Sequence, residues 1–222
     1  MTTLTTAPLG PLLERMFTEA QDPAFSGARV MQSLDPQDVR RLGASTRPED
    51  YRHVYGLAKD SYLAVSPDTA HLLYMLARAT RASHIVEFGS SFGVATLHLA
   101  AALRDNGGGL LITTEFEPTK AARLRANLAE AKLEDLVELR EGDAVETLAD
   151  NLPEQIDLVM LDGAKGLYPA ILDLLEDRLR PGAFLVADDT DFIPEYLQRV
   201  PTQGHYVSVP LAAGLELSMR AN

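Results

Sequence analysis

The sequence predicts an α/β fold in which helices cover both faces of a mostly parallel sheet. The first observation is that, from residue 84 onward, short apolar runs alternate with helical stretches, a pattern typical of βαβ units. The second is that several of these runs end in acidic residues or in a glycine-containing turn. In an open parallel sheet the carboxyl ends of the strands border the crevice where ligands bind. The same pattern therefore indicates where a site would lie.

Seven apolar runs are the predicted strands. The first five alternate with helical stretches over residues 94–105, 118–132 and 168–180. The last two lie a few residues apart around Ala212-Ala213-Gly214, which favours an antiparallel hairpin at the sheet edge. The runs are HIVEF (84–88), GLLITTE (109–115), LVELR (136–140), IDLVMLD (156–162), AFLVADD (183–189), HYVSVPL (205–211) and LELSMR (215–220).

The N-terminal third of the chain has a different pattern. Residues 1–80 are predicted to be helical and irregular, a lid region attached to a core at residues 81–222, and the two together form one domain. Ser66-Pro67-Asp68 predicts a helix start, because serine is a favoured cap and proline suits the first helical position.

Composition and charge limit the function. The chain has 222 residues, 46% of them apolar, which fits one domain with a sizeable core. It has 20 basic and 32 acidic residues, and the net charge of −12 opposes binding to nucleic acid or anionic membranes. The absence of cysteine excludes disulfides, thiolate chemistry and cysteine-ligated zinc. No secretory signal or run of transmembrane length is present, so we expect a cytoplasmic protein.

Oxygen donors follow two of the predicted strands. Asp162 ends one run, Asp188 and Asp189 end another, and Lys165 comes three residues after Asp162. Clustered carboxylates repel one another unless a cation, a proton or a basic side chain compensates them. The cluster therefore predicts a hard divalent metal ion with oxygen ligands. The alternative is that each aspartate only caps the helix that follows it.

The other strand ends predict a cofactor. The first turn reads Glu87-Phe88-Gly89-Ser90-Ser91-Phe92-Gly93, in which glycines let the chain turn sharply and let a ligand approach the backbone. The dinucleotide fingerprint would require glycine where Ser91 stands. Glu115 ends the next strand and is placed to accept hydrogen bonds from two ribose hydroxyls. Asp143 and Ala144 follow the third strand, where an adenine edge would lie. Together these residues predict a mononucleotide-type cofactor.

These segments resemble the metal-dependent S-adenosylmethionine O-methyltransferases, the catechol and caffeoyl-CoA O-methyltransferase family. The resemblance covers about residues 62–218. It implies a Rossmann-like sheet of seven strands, one of them antiparallel, which agrees with the predicted hairpin. The motifs that carry it are VEFGSSFGVATLHLA, ITTEFEP, EGDAVETL, DLVMLDGAKGLY and LVADD.

The resemblance implies an enzyme that transfers a methyl group from S-adenosylmethionine to a hydroxyl of a small catechol-like or phenolic acceptor. It also implies a divalent metal, Mg²⁺, Mn²⁺ or Ca²⁺, that stabilises the oxyanion of the acceptor. The implied roles are the methionine end for Glu87, Gly89, Ser91 and Gly93, the ribose for Glu115, the adenine for Asp143 and Ala144, the cofactor and metal for Asp162, the remaining metal ligands for Asp188 and Asp189, and the general base for Lys165.

Two departures from the family pattern concern the site. Asp189 stands where the family usually has asparagine, and this extra negative charge reduces the positive charge that a metal presents to the acceptor. Gly163-Ala164 replaces an aromatic residue that often follows Asp162, so one wall of the acceptor pocket is missing. Lys165 can act as a base only if the site holds its amine neutral. The alternative for Lys165 is a solvent-exposed residue paired with Asp162.

Three other functions stay open. Asp189 leaves open a metal-independent methyltransferase acting on an acidic hydroxyl or a carboxyl group. A cofactor-binding protein without catalysis is disfavoured by the presence of Asp162 and Lys165. An NAD oxidoreductase is disfavoured by the glycine spacing.

Several residues admit both a packing and a functional interpretation. The five histidines lack metal-ligand spacing and are interpreted as surface or core residues. Tyr51, Tyr55 and Tyr62, with His53, precede the core and either pack or line the acceptor pocket. The resemblance also implies a homodimer, and the apolar residues that either form its contact or pack within the chain are Leu12, Leu13, Met16 and Phe17.

Overall fold

The computed structural model describes residues 2–35, 37, 45–202, 204–211 and 214–221. Over these residues the chain forms a seven-stranded sheet with helices on both faces. The strands are β1 (His84–Phe88), β2 (Leu110–Glu115), β3 (Val137–Glu141), β4 (Ile156–Leu161), β5 (Leu179–Ala187), β6 (Tyr206–Pro210) and β7 (Glu216–Arg220). The helices are α1 (Leu9–Gln21), α2 (Gly27–Ser33), α3 (Pro48–Leu57), α4 (Pro67–Ala79), α5 (Val94–Asn106), α6 (Pro118–Ala131), α7 (Ala144–Thr147), α8 (Tyr168–Leu175) and α9 (Pro194–Arg199).

The strand order is β3-β2-β1-β4-β5-β7-β6. β1 to β5 run parallel, and β7 pairs antiparallel with both β5 and the edge strand β6. The predicted mostly parallel sheet with an antiparallel edge hairpin is therefore confirmed. Residues 212 and 213 of the predicted hairpin turn lie outside the described residues. The strand order reverses between β1 and β4, which is where open α/β sheets bind ligands.

Two apolar layers hold the sheet, because successive strand residues point to opposite faces. Ile85 and Leu158 face a layer that includes α4, α5 and α6. Val86 and Val159 face a second layer that includes α8 and α9. The strand ends that carry the predicted site residues are therefore anchored in a core packed on both sides.

The N-terminal helix α1 belongs to the first of these layers. Leu12, Leu13 and Met16 are buried there, and Phe17 packs against the same layer while partly exposed. Packing within the chain thus accounts for the residues considered as a dimer contact. Among the described helices, none combines the length and apolar character needed to cross a membrane.

Two predicted boundaries can be compared with the structure. Ser66 caps α4 as predicted, since its Oγ accepts a hydrogen bond from the Thr69 amide at 3.0 Å. The helix predicted over residues 168–180 is too long, because α8 ends earlier and β5 already begins at Leu179. The pairing of β5 with β4 contains a register shift, and Gly182 has φ +76°. This irregularity lets the strand pass a proline-glycine pair that normally interrupts a strand.

Candidate active site

A cavity opens at the carboxyl ends of β1 to β4. Its wall includes Gly89 and Ser91 after β1, Glu115 at the end of β2, Ala144 after β3 and Asp162 after β4. The structure therefore brings together, at one place, site residues that are spread over more than 70 positions of the sequence.

The turn after β1 depends on two glycines with left-handed backbone. Gly89 has φ +92°, and a Cβ there would lie 2.6 Å from Cα of Gly163. Gly93 has φ +96°, and a Cβ there would lie 2.4 Å from a methyl carbon of Leu124 on α6. Side chains at either position would be both strained and too close to their neighbours. The turn can therefore lie directly against the end of β4 and start α5 without obstructing the cavity.

Glu87 lies in the core beneath the turn and is not on the cavity wall. Its Oε2 accepts hydrogen bonds from the hydroxyls of Thr96 and Thr113, each at 2.6 Å. Its Oε1 has no hydrogen-bond partner among the described residues. Burial raises the pKa of Glu87 to about 7, although the two hydroxyls oppose this shift. A fully buried carboxylate with one unpaired oxygen suits a cationic group.

Glu115 is held by backbone amides. The amide of Ser91 donates to its Oε2 at 2.9 Å, and the amide of Glu117 donates to its Oε1 at 2.9 Å. Burial raises the pKa of Glu115, and these amides and the nearby Lys120 ammonium partly oppose the shift. Each carboxylate oxygen retains acceptor capacity toward the cavity.

Asp143 is fixed by a contact from the lid region. The hydroxyl of Tyr51 on α3 donates to its Oδ2 at 2.7 Å, and the amide of Val145 donates to its Oδ1 at 3.0 Å. The Tyr51 ring stands edge-on to Phe116, with 5.8 Å between ring centroids. Both rings line the cavity beside Ala144. This apolar corner with a polar rim suits a flat heterocycle.

The three tyrosines and His53, which could either pack or line the pocket, occupy different environments in the structure. Tyr51 and Tyr55 line the cavity, whereas Tyr62 is buried and its hydroxyl donates to Glu19 at 2.7 Å. His53 is exposed. The packing interpretation thus holds for Tyr62, whereas Tyr51 and Tyr55 lie on the cavity wall.

Lys165 lies among the carboxylates at the end of β4. Its Nζ donates to Oδ1 of Asp162 at 2.9 Å and to the Tyr168 hydroxyl at 3.1 Å, and it lies 3.2 Å from Oδ2 of Asp189. The Tyr168 hydroxyl in turn donates to the Leu161 carbonyl at 2.8 Å. The predicted pairing with Asp162 is found, but Lys165 is buried and not solvent-exposed.

The charged groups of this cluster change one another's pKa values. Burial raises the pKa of Asp162 to about 7, with Lys165 opposing the shift and Asp188 and Asp189 adding to it. Burial alone would lower the pKa of Lys165, but the surrounding oxygens outweigh that effect and hold it well above its usual value. At neutral pH Lys165 is therefore an ammonium ion, and Asp162 is the group that titrates near neutrality.

The predicted metal ligands do not form a ligand set in this arrangement. Asp162 and Asp189 each direct an oxygen at the Lys165 ammonium, and Oδ1 of Asp188 accepts from the Asp189 amide at 3.0 Å. In the part of the chain that the structure describes, no three histidine, cysteine or acidic side chains are grouped so as to hold a metal ion. The cation that compensates the carboxylates is Lys165.

The Phe88 ring fills the space next to Gly163, where the family pattern often has an aromatic side chain. A Cβ on Gly163 would lie 2.5 Å from the ring of Phe88, which also lines the cavity. The glycine therefore permits an aromatic ring from the end of β1 to take the place of one from the loop after β4. The sequence lacks the aromatic residue after Asp162, and no local pattern marks Phe88 as its substitute.

Two further buried charged residues were not singled out from the sequence. Lys120, in the first turn of α6, is buried and lines the cavity. Glu216 is buried at the start of β7, opposite Ala187 and thus next to the strand end that carries Asp188, and burial raises its pKa. Lysine and glutamate are seldom buried, and no local pattern marks these two as exceptions.

The sheet order and the cavity at its reversal point define a Rossmann-like α/β domain. Residues 86–190 match a family model described as a methyltransferase domain. The resemblance drawn from the sequence is therefore confirmed for the part of the chain that carries most of the site.

Two curated relatives of similar sequence are named catechol O-methyltransferase. A catechol O-methyltransferase of Niastella koreensis is 33% identical over 130 residues, which cover 57% of this chain and 58% of that protein. A catechol O-methyltransferase of Mycobacterium tuberculosis is 32% identical over 127 residues, covering 57% of each chain. The matched stretch thus spans less than two thirds of the length of these relatives.

Solved structures share the fold over nearly the whole chain. An O-methyltransferase of Bacillus cereus in complex with S-adenosylhomocysteine has a TM-score of 0.64 at 22% identity, covering 87% of this chain and 96% of its own. An O-methyltransferase of tomaymycin synthesis from Streptomyces achromogenes, in complex with S-adenosylmethionine, has a TM-score of 0.63 at 22% identity, covering 91% and 99%. At this identity the likeness concerns the fold.

Proposed function

We propose that the protein is an S-adenosylmethionine-dependent O-methyltransferase whose acceptor is a hydroxyl of a small catechol-like or phenolic molecule. The observation that carries the proposal is the meeting of four strand ends at one cavity, with Ser91, Glu115 and Ala144 on the same wall as Asp162. The names of the curated relatives, and the cofactors bound by the structural neighbours, support it.

The cofactor is proposed to lie along this wall. Its adenine would occupy the corner between Tyr51, Phe116 and Ala144, beside Asp143. Its ribose hydroxyls would donate to Glu115. Its methionine end would lie against the turn that contains Gly89, Ser91 and Gly93, with the unpaired oxygen of Glu87 beneath and the Asp162 carboxylate at the far side.

The reaction forms a bond between the acceptor oxygen and the methyl carbon, and it breaks the bond from that carbon to the sulfonium sulfur. S-adenosylhomocysteine leaves as a neutral thioether. A phenol has a pKa of about 10, so its proton must be removed or its oxyanion stabilised. We assign the stabilisation to the Lys165 ammonium and the proton to Asp162, whose pKa of about 7 suits an acceptor. This assignment replaces the general-base role implied for Lys165, which needs a neutral amine.

A metal-assisted version of the reaction is the prediction made from the sequence. It requires Asp162, Asp188 and Asp189 to turn their oxygens from Lys165 and from each other toward a divalent ion. The contacts of Lys165 favour the metal-independent version, because the ammonium already supplies the compensating charge. No step of the reaction proposed here therefore passes through a metal.

Two other proposals concern the whole protein. The homodimer rests on the family resemblance alone, since the residues considered as its contact pack within the chain. Small molecules as partners, and not nucleic acid or membranes, are supported by the net charge of −12.

The function is tested by incubating the protein with methyl-labelled S-adenosylmethionine and a panel of catechols, monophenols, aliphatic alcohols and carboxylic acids. We expect labelled product and S-adenosylhomocysteine with a phenolic acceptor. Asp162→Asn should abolish turnover, whereas Asp173→Asn, which removes the same charge from an exposed site on α8, should not. Cofactor binding without transfer to any acceptor would instead favour a non-catalytic binding protein, and NAD binding would favour an oxidoreductase.

A further inference from the structure

A buried ammonium faces the proposed cofactor cavity from α6. Lys120 is 3% exposed and lines the cavity. Its Nζ donates to the carbonyl oxygen of Ser61 at 3.1 Å and to Oγ of Ser91 at 3.0 Å. It also lies 5.2 Å from the centre of the Phe92 ring. The side chain is thus held in one position, between the lid region and the turn after β1.

The contacts of Lys120 leave its charge uncompensated at short range. Both hydrogen-bond acceptors are neutral, and among the described residues no carboxylate lies within ion-pair distance of Nζ. Glu115, Glu117 and Asp162 act on it only from farther away. An ammonium group has three N–H donors, of which two are used here. Burial lowers the pKa of Lys120, and an anionic ligand group next to Nζ would stabilise its charged form.

The cofactor offers one group of the required charge. S-adenosylmethionine carries a sulfonium and an ammonium, both cationic, and a single carboxylate. A lysine on the cavity wall therefore repels two of its charged groups and attracts the third. Ser91, which holds Nζ, belongs to the turn proposed for the methionine end, where that carboxylate is attached.

We propose that the Lys120 ammonium, held by Ser61 and Ser91, binds the carboxylate of the methionine end of the cofactor. The inference rests on the proposed function, since it needs this cofactor. It gives the carboxylate of the methionine end a cationic partner that lines the cavity. The cofactor would then bind in one orientation along the wall.

The test compares two ligands that differ only in the carboxylate. These are S-adenosylhomocysteine and its decarboxylated analogue 5′-(3-aminopropylthio)adenosine, each titrated calorimetrically into wild type, Lys120→Met and Lys120→Gln. Wild type should bind the first ligand about 10- to 100-fold more tightly, as expected for one charge-assisted hydrogen bond. Both variants should lose that preference, while their affinity for the decarboxylated ligand stays the same or rises. Lys120→Gln keeps a donor for Ser61 or Ser91, so it serves if Lys120→Met fails to fold.

A matched control removes a lysine from the other end of the same helix. Lys132 is the exposed C-terminal cap of α6 and has φ +58°, a conformation that suits asparagine. Lys132→Asn should therefore leave the preference for the ligand with the carboxylate intact. An equal loss of affinity for both ligands in the Lys120 variants would assign Lys120 a purely structural role and overturn the inference. A wild type without preference for the carboxylate would overturn it as well. Failure of wild type to bind either ligand would instead refute the proposed function.

Discussion

The Nζ atom of Lys165 lies 3.2 Å from Oδ2 of Asp189 and thereby connects the ends of two neighbouring strands, β4 and β5. Asp189 has a left-handed backbone with φ +54°, a conformation that asparagine and aspartate tolerate better than most residues. The pair explains how an additional carboxylate can stand where the family that the sequence resembles usually has asparagine. Its negative charge is directed at a lysine of the same site.

The first prediction concerns metal dependence. Turnover should persist in excess chelator, because Lys165 supplies the positive charge among the carboxylates. Asp189→Asn should fold and remain active, since asparagine suits the backbone and Lys165 keeps its bond to Asp162. Steady-state rates with and without chelator check both statements. Loss of turnover in chelator and its recovery with Mg²⁺, Mn²⁺ or Ca²⁺ would support the metal-assisted version instead.

The second prediction concerns the pH profile. If Asp162 accepts the proton, kcat should rise as the pH increases through about 7, where its carboxylate becomes ionised. Lys165→Met removes a cation that lowers the pKa of Asp162, so the rising limb should move to higher pH and the maximal rate should fall by about 10²- to 10³-fold. A rising limb that disappears in Lys165→Met would identify Lys165 as the base.

The third prediction concerns Glu87. Its pKa is raised from 4.5 to about 7, so the folded protein loses stability as the pH rises between these values, by on the order of 3 kcal/mol. Glu87→Gln keeps the shape and stays neutral, and its unfolding free energy should exceed that of wild type at pH 8 but not at pH 4. The variant should also bind S-adenosylhomocysteine more weakly, because a negative charge beneath the turn proposed for the methionine end is lost. Urea unfolding at both pH values and calorimetry check this; equal stability at pH 8 would contradict it.

The fold was more predictable than the site, and particular residues show why. HIVEF and IDLVMLD are short, mostly apolar runs that alternate with helical stretches, and such runs are typical of strands buried on both faces of a parallel sheet. The start of β5 at Leu179 was hidden because the proline-glycine pair that follows has the local pattern of a break. The hydrogen bond from Tyr51 to Asp143 joins residues 92 positions apart, and no local pattern encodes such a contact. Lys120 has the sequence context of an exposed helical lysine, and only tertiary packing buries it.

The fourth prediction separates core packing from assembly. Leu12 is fully buried in the layer formed with α5, so Leu12→Ala should lower the unfolding free energy by about 2–5 kcal/mol. Because the side chain faces the chain's own core, the molar mass of the folded variant should equal that of wild type. Urea unfolding and light scattering provide the two measurements. A shift in mass with little change in stability would place Leu12 at an interface.

The central claim is that the cavity binds S-adenosylmethionine, and calorimetry on Glu115→Ala tests it most directly. Wild type should bind S-adenosylhomocysteine and not NAD. Glu115→Ala should weaken binding by about 1.5–3 kcal/mol per hydrogen bond lost from the ribose hydroxyls. Glu141→Ala, which removes the same charge from the exposed end of the adjacent strand, should bind like wild type. Unchanged affinity in Glu115→Ala, or binding of NAD in preference to S-adenosylhomocysteine, would contradict the account.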